Sequence, residues 1–177
     1  GLHLCQTGQG GPVVILEAGI AASSVSWRMV QDRLSRDFTV ASYDRAGFAW
    51  SPSASTPRTI PNLVDELAAL LRSSGLPGPY VLVGHSFGGL MLRHFASRYR
   101  DMTMALVLLD PLEPIEWHPA SPQQLYRLGK GVMLSKRGAM LARFGVVRLG
   151  LDLLMSGSRL IPQLLSKVSS GKGSSVT

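Results

Sequence analysis

Gly84-His85-Ser86-Phe87-Gly88 is the stretch from which the fold of this chain can be inferred. The apolar run Tyr80–Val83 leads into it, and a helical pattern that includes Leu92 and Phe95 leads out of it. A G-x-S-x-G pattern between a strand and a helix is typical of a sharp turn. Such a turn strains the backbone of the serine and places its hydroxyl at the carboxyl end of the strand. We expect the two glycines to be required because side chains there would clash where strand and helix pass closely.

The segments around this motif alternate between strands and helices. Short, almost continuous apolar runs are typical of strands that are buried on both faces of a parallel sheet. Strict alternation with helices predicts right-handed β–α–β units. The expected fold is therefore an α/β sandwich of three layers, in which helices cover both faces of a mostly parallel sheet. The predicted strands cover Pro12–Leu16, Phe38–Tyr43, Tyr80–Val83 and Met104–Leu109.

Three helices are predicted between and after these strands. The first follows Ser24 and Ser26 as candidate caps, the second runs between Pro61 and Gly75, and the third begins after Ser86. The residues expected on their buried faces are Trp27, Val30 and Leu34 in the first, Leu63, Leu67, Leu70 and Leu71 in the second, and Leu92, Phe95 and Tyr99 in the third.

The character of the sequence changes after residue 114. Four prolines fall between Pro111 and Pro122, and residues 123–167 are rich in Leu, Met and Arg with a helical pattern. We therefore expect a core over residues 1–114, and helices that form a lid, with a flexible tail, over residues 115–177. The net charge of +7 arises in the second part, because residues 1–114 carry nine arginines and nine acidic side chains.

The composition excludes several classes of protein. With 177 residues, 45% of them apolar, the chain can bury a core and is not a disordered protein. A single cysteine, Cys5, excludes a disulfide framework and a multi-cysteine metal site. No nucleic-acid-binding motif accompanies the basic region, so nucleic acid is not an expected partner. No targeting leader precedes the first strand, which favours a cytoplasmic location.

Three blocks of the chain resemble the α/β-hydrolase fold, specifically its serine hydrolases with a helical cap. Leu16-Glu17-Ala18-Gly19-Ile20 is similar to the oxyanion loop that follows the third strand of that family. Tyr43–Ser51 is similar to the Y-D-R-x-G-x-G-x-S segment after the fourth strand, and Gly84–Gly89 is similar to the nucleophile elbow. The order and spacing of the blocks match across about residues 8–114.

The resemblance implies a hydrolase whose Ser86 attacks an ester, lactone, amide or related small-molecule acyl substrate and forms an acyl-enzyme. The backbone N–H groups of Ile20 and Phe87 would form the oxyanion hole, which stabilises the oxygen that becomes negative during acyl transfer. Relatives that displace halide or open epoxides use Asp at the elbow, so the serine argues against those reactions. No cofactor and no metal is expected, and the sequence does not indicate the oligomeric state.

Two positions depart from the family pattern. Many relatives carry His-Gly before the oxyanion residue, whereas this chain has Ala18-Gly19. Ala49 stands where glycine is common. Neither change removes a backbone N–H group on which the chemistry depends, so we expect them to alter the shape of the pocket and not the mechanism.

The catalytic order in this family is serine, then an acid, then a histidine that acts as general base. His94 falls inside the helix after the elbow and His118 in the proline-rich segment, and neither position suits the base. His85 is expected to pack, and nothing in the sequence assigns a role to His3. Because no strand pattern resumes before Thr177, we expect the base to be missing from these residues, which would leave them inactive.

Asp110 follows the strand Met104–Leu109 and is a candidate for the acid, because some relatives place the acid there. The alternative is a turn-forming Asp before Pro111. Asp44 and Arg45 are expected mainly to structure their loop. Two further hypotheses stay open. The chain could be a non-catalytic remnant or binding scaffold of the same fold, or its basic lid helices could associate with a membrane surface.

Overall fold

A five-stranded sheet organises the first part of the chain. The structure is a computed structural model that describes residues 1–113, 120–146 and 148–150. Strands β2 to β5 run parallel to one another, and β1 pairs antiparallel with β3. The strands are β1 (Leu4–Thr7), β2 (Val13–Glu17), β3 (Thr39–Tyr43), β4 (Tyr80–His85) and β5 (Thr103–Leu109), and their order across the sheet is β1-β3-β2-β4-β5.

Helices cover both faces of this sheet. A 3₁₀ turn (Ser24–Trp27) leads into α1 (Arg28–Leu34), and the longer helices are α2 (Ile60–Ser73) and α3 (Phe87–Arg98). Alternate residues of β2 point to opposite faces of the sheet. Val13 and Ile15 pack with α2 and α3, whereas Val14 and Leu16 pack with Trp27 on the other face. The predicted three-layer α/β architecture is confirmed, and each of the four predicted strands is present.

Strand β1 was not predicted from the sequence. It has four residues, Leu4-Cys5-Gln6-Thr7, of which two are exposed and two are half-buried, and among the described residues it pairs with β3 alone. A strand this short and half-exposed at the edge of a sheet leaves little periodic signal. It carries His3 to the carboxyl end of β3, where His3 N–H donates to Ser51 Oγ at 2.9 Å.

The buried face of α1 differs from the predicted one. Val30 is 42% exposed, whereas Gln31 is 3% exposed. The Gln31 amide is buried because its hydrogen bonds are satisfied. Its Nε2 donates to Cys5 O at 3.0 Å, and its Oε1 accepts from Ser42 Oγ at 2.6 Å. A prediction based on apolar spacing places the apolar residue inside and misses such a polar pair.

The apolar composition of β5 predicted a strand that is buried on both faces, and this prediction is wrong. Met104 is 53% exposed, and Val107 and Leu109 are each 43% exposed. Among the described residues, β5 has β4 as its only neighbour in the sheet, and α3 covers one of its faces.

The chain divides into two compact units, Gly1–Glu116 and Trp117–Thr177. The described part of the second unit contains the helix α4 (Pro122–Arg143), which lies within the region predicted to be helical. Ser121 caps it, because its Oγ accepts from Gln124 N–H while the Gln124 side chain accepts from Ser121 N–H. The rest of the predicted lid, beyond residue 150, and His118 lie outside the described residues.

Candidate active site

The turn between β4 and α3 places Ser86 at the carboxyl edge of the sheet. Its φ of 52° and ψ of −119° are a backbone conformation that L residues rarely adopt, which confirms the strain predicted from the motif. Neighbouring backbone groups hold this conformation. Ser86 N–H donates to Leu109 O at 3.1 Å, and Ser86 O accepts from Gly89 N–H and Leu112 N–H, each at 3.0 Å. The end of β5 and the start of α3 therefore fix the turn together.

The glycines of the motif allow close backbone approach, as predicted. A Cβ atom on Gly84 would lie 2.8 Å from the backbone of Gly88. A Cβ atom on Gly88 would lie 2.6 Å from Ala18 O and 2.7 Å from Glu17 O. Since real Cβ atoms do not approach backbone oxygens so closely, α3 can pass beside the end of β2 only with glycine at position 88.

The segment Ala18–Ala22, which we call the β2 loop, passes directly beside Ser86. A Cβ atom on Gly19 would lie 3.7 Å from Ser86 Cβ and 3.1 Å from His85 Nδ1. Ile20 is 70% exposed. Among the described residues, neither Ile20 N–H nor Phe87 N–H has a hydrogen-bond acceptor. The structure thus brings the loop that carries Ile20 next to the turn that carries Ser86 and Phe87.

A buried polar cluster supports the β2 loop from behind. Arg45 Nη1 donates to Glu17 Oε1 at 2.7 Å and to Ala18 O at 2.9 Å, and Arg45 Nη2 donates to Gly19 O at 2.5 Å. The Tyr43 hydroxyl donates to Glu17 Oε2. Glu17 and Arg45 have side-chain exposures of 1% and 6%, respectively. The ends of β2 and β3 are therefore joined through buried polar side chains.

Burial dominates the protonation of this cluster. It raises the pKa of Glu17 from the ordinary 4.5 to about 7, although the Arg45 charge and the Tyr43 hydroxyl act in the opposite direction. Burial and the adjacent Glu17 raise the pKa of Tyr43 well above its ordinary value, so its hydroxyl stays protonated and can donate. A phenol that remains neutral suits its role as a donor to Glu17.

Sequence reasoning placed Arg45 in a structural role and assigned no role to Glu17 or Tyr43. One signal could have linked the three residues. Glu17 ends β2, and Tyr43 and Arg45 lie at the end of β3, which neighbours β2 in parallel orientation. Because the carboxyl ends of parallel neighbours meet at one edge of a sheet, opposite charges at those ends are expected to pair.

The described histidines, His3, His85 and His94, form no hydrogen bond with the serine hydroxyl. His85 was predicted to pack, but it is exposed, although its Nδ1 would lie 3.1 Å from a Cβ atom on Gly19. His94 is exposed on α3, and His3 Nδ1 lies 3.0 Å from Asp44 Oδ2 beside β3. Within the part of the chain that the structure describes, no group forms a hydrogen bond with Ser86 Oγ.

The two aspartates singled out from the sequence differ in their surroundings. Asp110 is exposed with a φ of 45°, directly after the residue whose carbonyl accepts from Ser86 N–H. Asp110 therefore lies beside the elbow. Its two possible roles, as the catalytic acid or as a turn-forming residue, both remain predictions. Asp44 is fully buried, and its Oδ1 accepts from Ser24 N–H at 2.8 Å. Ser51 Oγ donates to Asp44 O at 2.6 Å, so Asp44 ties two loops together.

A cleft of about 260 Å³ opens beside the serine turn and is lined by Gly19, Ser26, Trp27, His85 and Leu109. A second cleft of about 280 Å³, between β1 and α1, has a lining that includes Cys5 and Gln31 but no residue of the turn. The lining of the first cleft makes it the candidate substrate site. No group of three His, Cys, Asp or Glu side chains suited to a metal ion occurs within the described ranges. Over the same residues, no helix is long and apolar enough to cross a membrane.

Comparison with known proteins identifies the wider family. The sequence model for the alpha/beta hydrolase fold matches residues 12–148. The lipase LipV of Mycobacterium tuberculosis is 40% identical over 111 residues, which are 62% of this chain and 41% of the lipase. Epoxide hydrolase 3 of Xenopus tropicalis is 32% identical over 120 residues, which are 65% of this chain and 32% of that enzyme.

Comparison with solved structures identifies the same fold family. A thermophilic esterase from Thermogutta terrifontis superposes with a TM-score of 0.58 at 34% identity, over 62% of this chain and 40% of the esterase. The epoxide hydrolase of Bacillus megaterium superposes with a TM-score of 0.57 at 27% identity, over 62% of this chain and 39% of that enzyme. The chain spans less than half the length of the curated relatives that it matches.

Proposed function

The chain belongs to the alpha/beta hydrolase fold family, and on this premise we propose that it is the nucleophile-bearing part of a serine hydrolase. The proposed substrate is a small ester, lactone, amide or related acyl compound. The observation that carries the proposal is the backbone of Ser86, whose φ of 52° and ψ of −119° are a conformation that L residues rarely adopt. Strain of this kind persists where the surrounding structure enforces it, and it concentrates at functional sites.

The surroundings of Ser86 suit acyl transfer. The N-terminus of α3 lies directly after the serine and contributes the positive end of the helix dipole. Phe87 directly follows the serine, Ile20 belongs to the β2 loop beside it, and neither N–H group has an acceptor among the described residues. Two such donors are what a developing oxyanion requires, and removal of one side-chain donor of this type costs about 10²–10³ in kcat.

In the proposed reaction, Ser86 Oγ attacks the acyl carbon while its proton passes to a general base. The carbonyl oxygen becomes negative and accepts hydrogen bonds from Ile20 N–H and Phe87 N–H. Collapse of this intermediate expels the alcohol or amine, which takes the proton from the base and leaves an acyl-enzyme. Water then attacks the acyl carbon while the base takes its proton, and the second tetrahedral intermediate collapses to release the carboxylic acid and return that proton to Ser86 Oγ. We propose that the base is a histidine outside the described residues.

The relatives include epoxide hydrolases as well as lipases and esterases, so the residue at the elbow discriminates between reactions. The family resemblance assigns epoxide opening to an Asp nucleophile, whereas this chain has Ser86. A serine ester intermediate is the chemistry of the lipase and esterase branch. We therefore propose acyl transfer and not epoxide opening.

A fluorophosphonate probe tests the proposal on the full-length protein. This reagent phosphonylates serines that a base activates, so we expect the wild-type protein to be labelled and Ser86→Ala not to be. Ser97→Ala is the matched control, because Ser97 is an exposed serine on α3, the helix that follows Ser86, and it should label like wild type. Equal labelling of wild type and Ser86→Ala would contradict the proposal. Absence of labelling in a folded wild-type protein would favour a non-catalytic scaffold.

A further inference from the structure

The structure assigns a role to Arg45 that rests on the proposed function of Ser86. We propose that Arg45 is a positioning residue whose buried guanidinium, anchored by Glu17, fixes the direction of one oxyanion donor, Ile20 N–H, and contacts the residue that carries the other donor, Phe87. It would act through the backbone and need not touch the substrate.

The first line of support is the contact between Arg45 and the β2 loop. Its guanidinium donates to Ala18 O at 2.9 Å and to Gly19 O at 2.5 Å. In a trans peptide, the C=O group of one residue and the N–H group of the next point in opposite directions. A guanidinium that holds Gly19 O therefore also sets the direction of Ile20 N–H, which points away from Arg45.

The second line of support is the contact between Arg45 and the elbow. The guanidinium carbon lies 5.4 Å from the centroid of the Phe87 ring, within the range of a cation–π interaction. Phe87 is the first residue of α3 and directly follows Ser86. The direction of Phe87 N–H itself is set by the preceding carbonyl, Ser86 O, which accepts from Gly89 N–H and Leu112 N–H. One side chain contacts both halves of the proposed oxyanion hole.

Glu17 explains why the guanidinium stays in this place. Desolvation opposes the burial of two charges, so a buried pair is stable only where further hydrogen bonds complete it. Glu17 Oε1 accepts from Arg45 at 2.7 Å, and Glu17 Oε2 accepts from the Tyr43 hydroxyl. The remaining donors of Arg45 that the structure shows go to the carbonyls of the β2 loop. The bonds that satisfy the ion pair are therefore the same bonds that orient the loop.

Lysine at position 45 would keep the charge but lose the geometry. A guanidinium presents its donors in a planar fork, whereas an ammonium is a point charge on a flexible stem. The ammonium group of a lysine cannot donate to Glu17 and to the carbonyls of Ala18 and Gly19 from the directions that the guanidinium uses. Arg58 provides the matched control, because its Nη1 pairs with Glu66 at 2.6 Å on the partly exposed surface of the same unit.

The test measures hydrolysis of p-nitrophenyl butyrate by the full-length protein. The kcat is expressed per active serine, counted with the fluorophosphonate probe, so that partly unfolded protein does not affect it. We expect Arg45→Lys to lower this kcat about 10²-fold, as for a displaced or lost oxyanion donor, and to change KM less than about threefold. The affinity for a boronic acid, which forms a tetrahedral adduct on the serine, should fall with kcat. Arg58→Lys should match wild type in each quantity.

Tyr43→Phe is the second variant, and it tests the positioning role of Arg45 if Arg45→Lys does not fold. It removes one hydrogen bond from Glu17, and we expect kcat per active serine to fall about threefold to tenfold at unchanged KM. Wild-type kcat per active serine in Arg45→Lys, or in Tyr43→Phe where the first variant is unfolded, would overturn the role of Arg45. A wild-type protein that the probe does not label would instead contradict the proposed function itself.

Discussion

The two halves of the candidate site, the Ser86 turn and the β2 loop, are held in place by different means. At the turn, the constraint is backbone against backbone, because a Cβ atom on Gly88 would lie 2.6 Å from Ala18 O. At the β2 loop, the constraint is a buried side chain, because Arg45 binds the carbonyls of Ala18 and Gly19. The first half depends on the absence of side chains, and the second depends on one charged group with all its partners.

This difference has a consequence for how each half tolerates change. Steric constraints between backbones cannot relax locally, so a single methyl group at the turn must move a strand or a helix. A hydrogen-bonded cluster can lose one bond and keep its position through the others. We therefore expect substitutions at the turn to act mainly on folding, and substitutions in the cluster to act mainly on rate and on pH dependence.

The largest effect on stability is expected from Gly88→Ala. The new methyl group would lie 2.6 Å from Ala18 O and 2.7 Å from Glu17 O, and both are backbone atoms of the neighbouring strand end. We expect the free energy of unfolding to fall by about 3 kcal/mol, at the upper end for overpacking, and labelling of Ser86 to be lost. Denaturant unfolding monitored by circular dichroism measures the first quantity.

Gly129→Ala is the matched control for that experiment. A Cβ atom on Gly129 meets nothing within 4 Å, and the residue lies inside α4. Alanine there should leave stability unchanged or raise it by up to about 1 kcal/mol. If Gly88→Ala were as stable and as reactive as Gly129→Ala, the steric account of the turn would be wrong.

The two halves also differ in how far the sequence predicts them. The strand, the turn and the strained serine follow from Tyr80–Gly88, because glycine spacing and apolar runs are local signals. The same signals predicted β2, β3 and the helices α2 and α3. The three-layer architecture then follows from their alternation.

Features held together by polar side chains could not be predicted in this way. Gln31 is buried because it bonds to β1 and β3, and Glu17 is buried because Arg45 and Tyr43 bond to it. Each of these bonds joins residues that are distant in sequence, and spacing rules do not report such pairs. The exposure of β5 likewise depends on its neighbours in the sheet, which its own apolar composition does not specify.

The pH dependence of stability should distinguish the cluster from the turn. Glu17 has a pKa of about 7 in the folded chain against an ordinary 4.5, so the folded state binds its proton over a range in which the unfolded state has lost it. Stability therefore falls as pH rises from about 4.5 to about 7, with a contribution of at most about 1.4 kcal/mol per pH unit. Glu17→Gln should remove this contribution.

Denaturant unfolding of the wild-type protein and of Glu17→Gln at several pH values measures how steeply the free energy of unfolding changes with pH. Glu66→Gln serves as the matched control, because Glu66 is the partly exposed member of an ion pair with Arg58. A slope for Glu17→Gln that equals the wild-type slope between pH 4.5 and 7 would show that Glu17 does not hold a proton in the folded protein.

A smaller effect is expected from releasing the strain at Ser86. Glycine adopts positive φ without steric cost, so Ser86→Gly should be about 1 kcal/mol more stable than Ser86→Ala. At Ser97, inside α3, the same pair of substitutions should have the opposite order, because glycine weakens a helix by about 0.5–1 kcal/mol relative to alanine. Thermal unfolding of the four variants gives the comparison. A Ser86→Ala variant that is at least as stable as Ser86→Gly would contradict a strained Ser86.

The central claim is that Ser86 is the nucleophile, and locating a covalent adduct tests it most directly. After reaction of the full-length protein with a fluorophosphonate, trypsin should release residues 73–93 as one peptide, which contains Ser73, Ser74 and Ser86. Tandem mass spectrometry of that peptide assigns the adduct to one serine. We predict a single adduct per chain, on Ser86. An adduct on Ser73, on Ser74 or on another peptide, with Ser86 unmodified, would contradict the account.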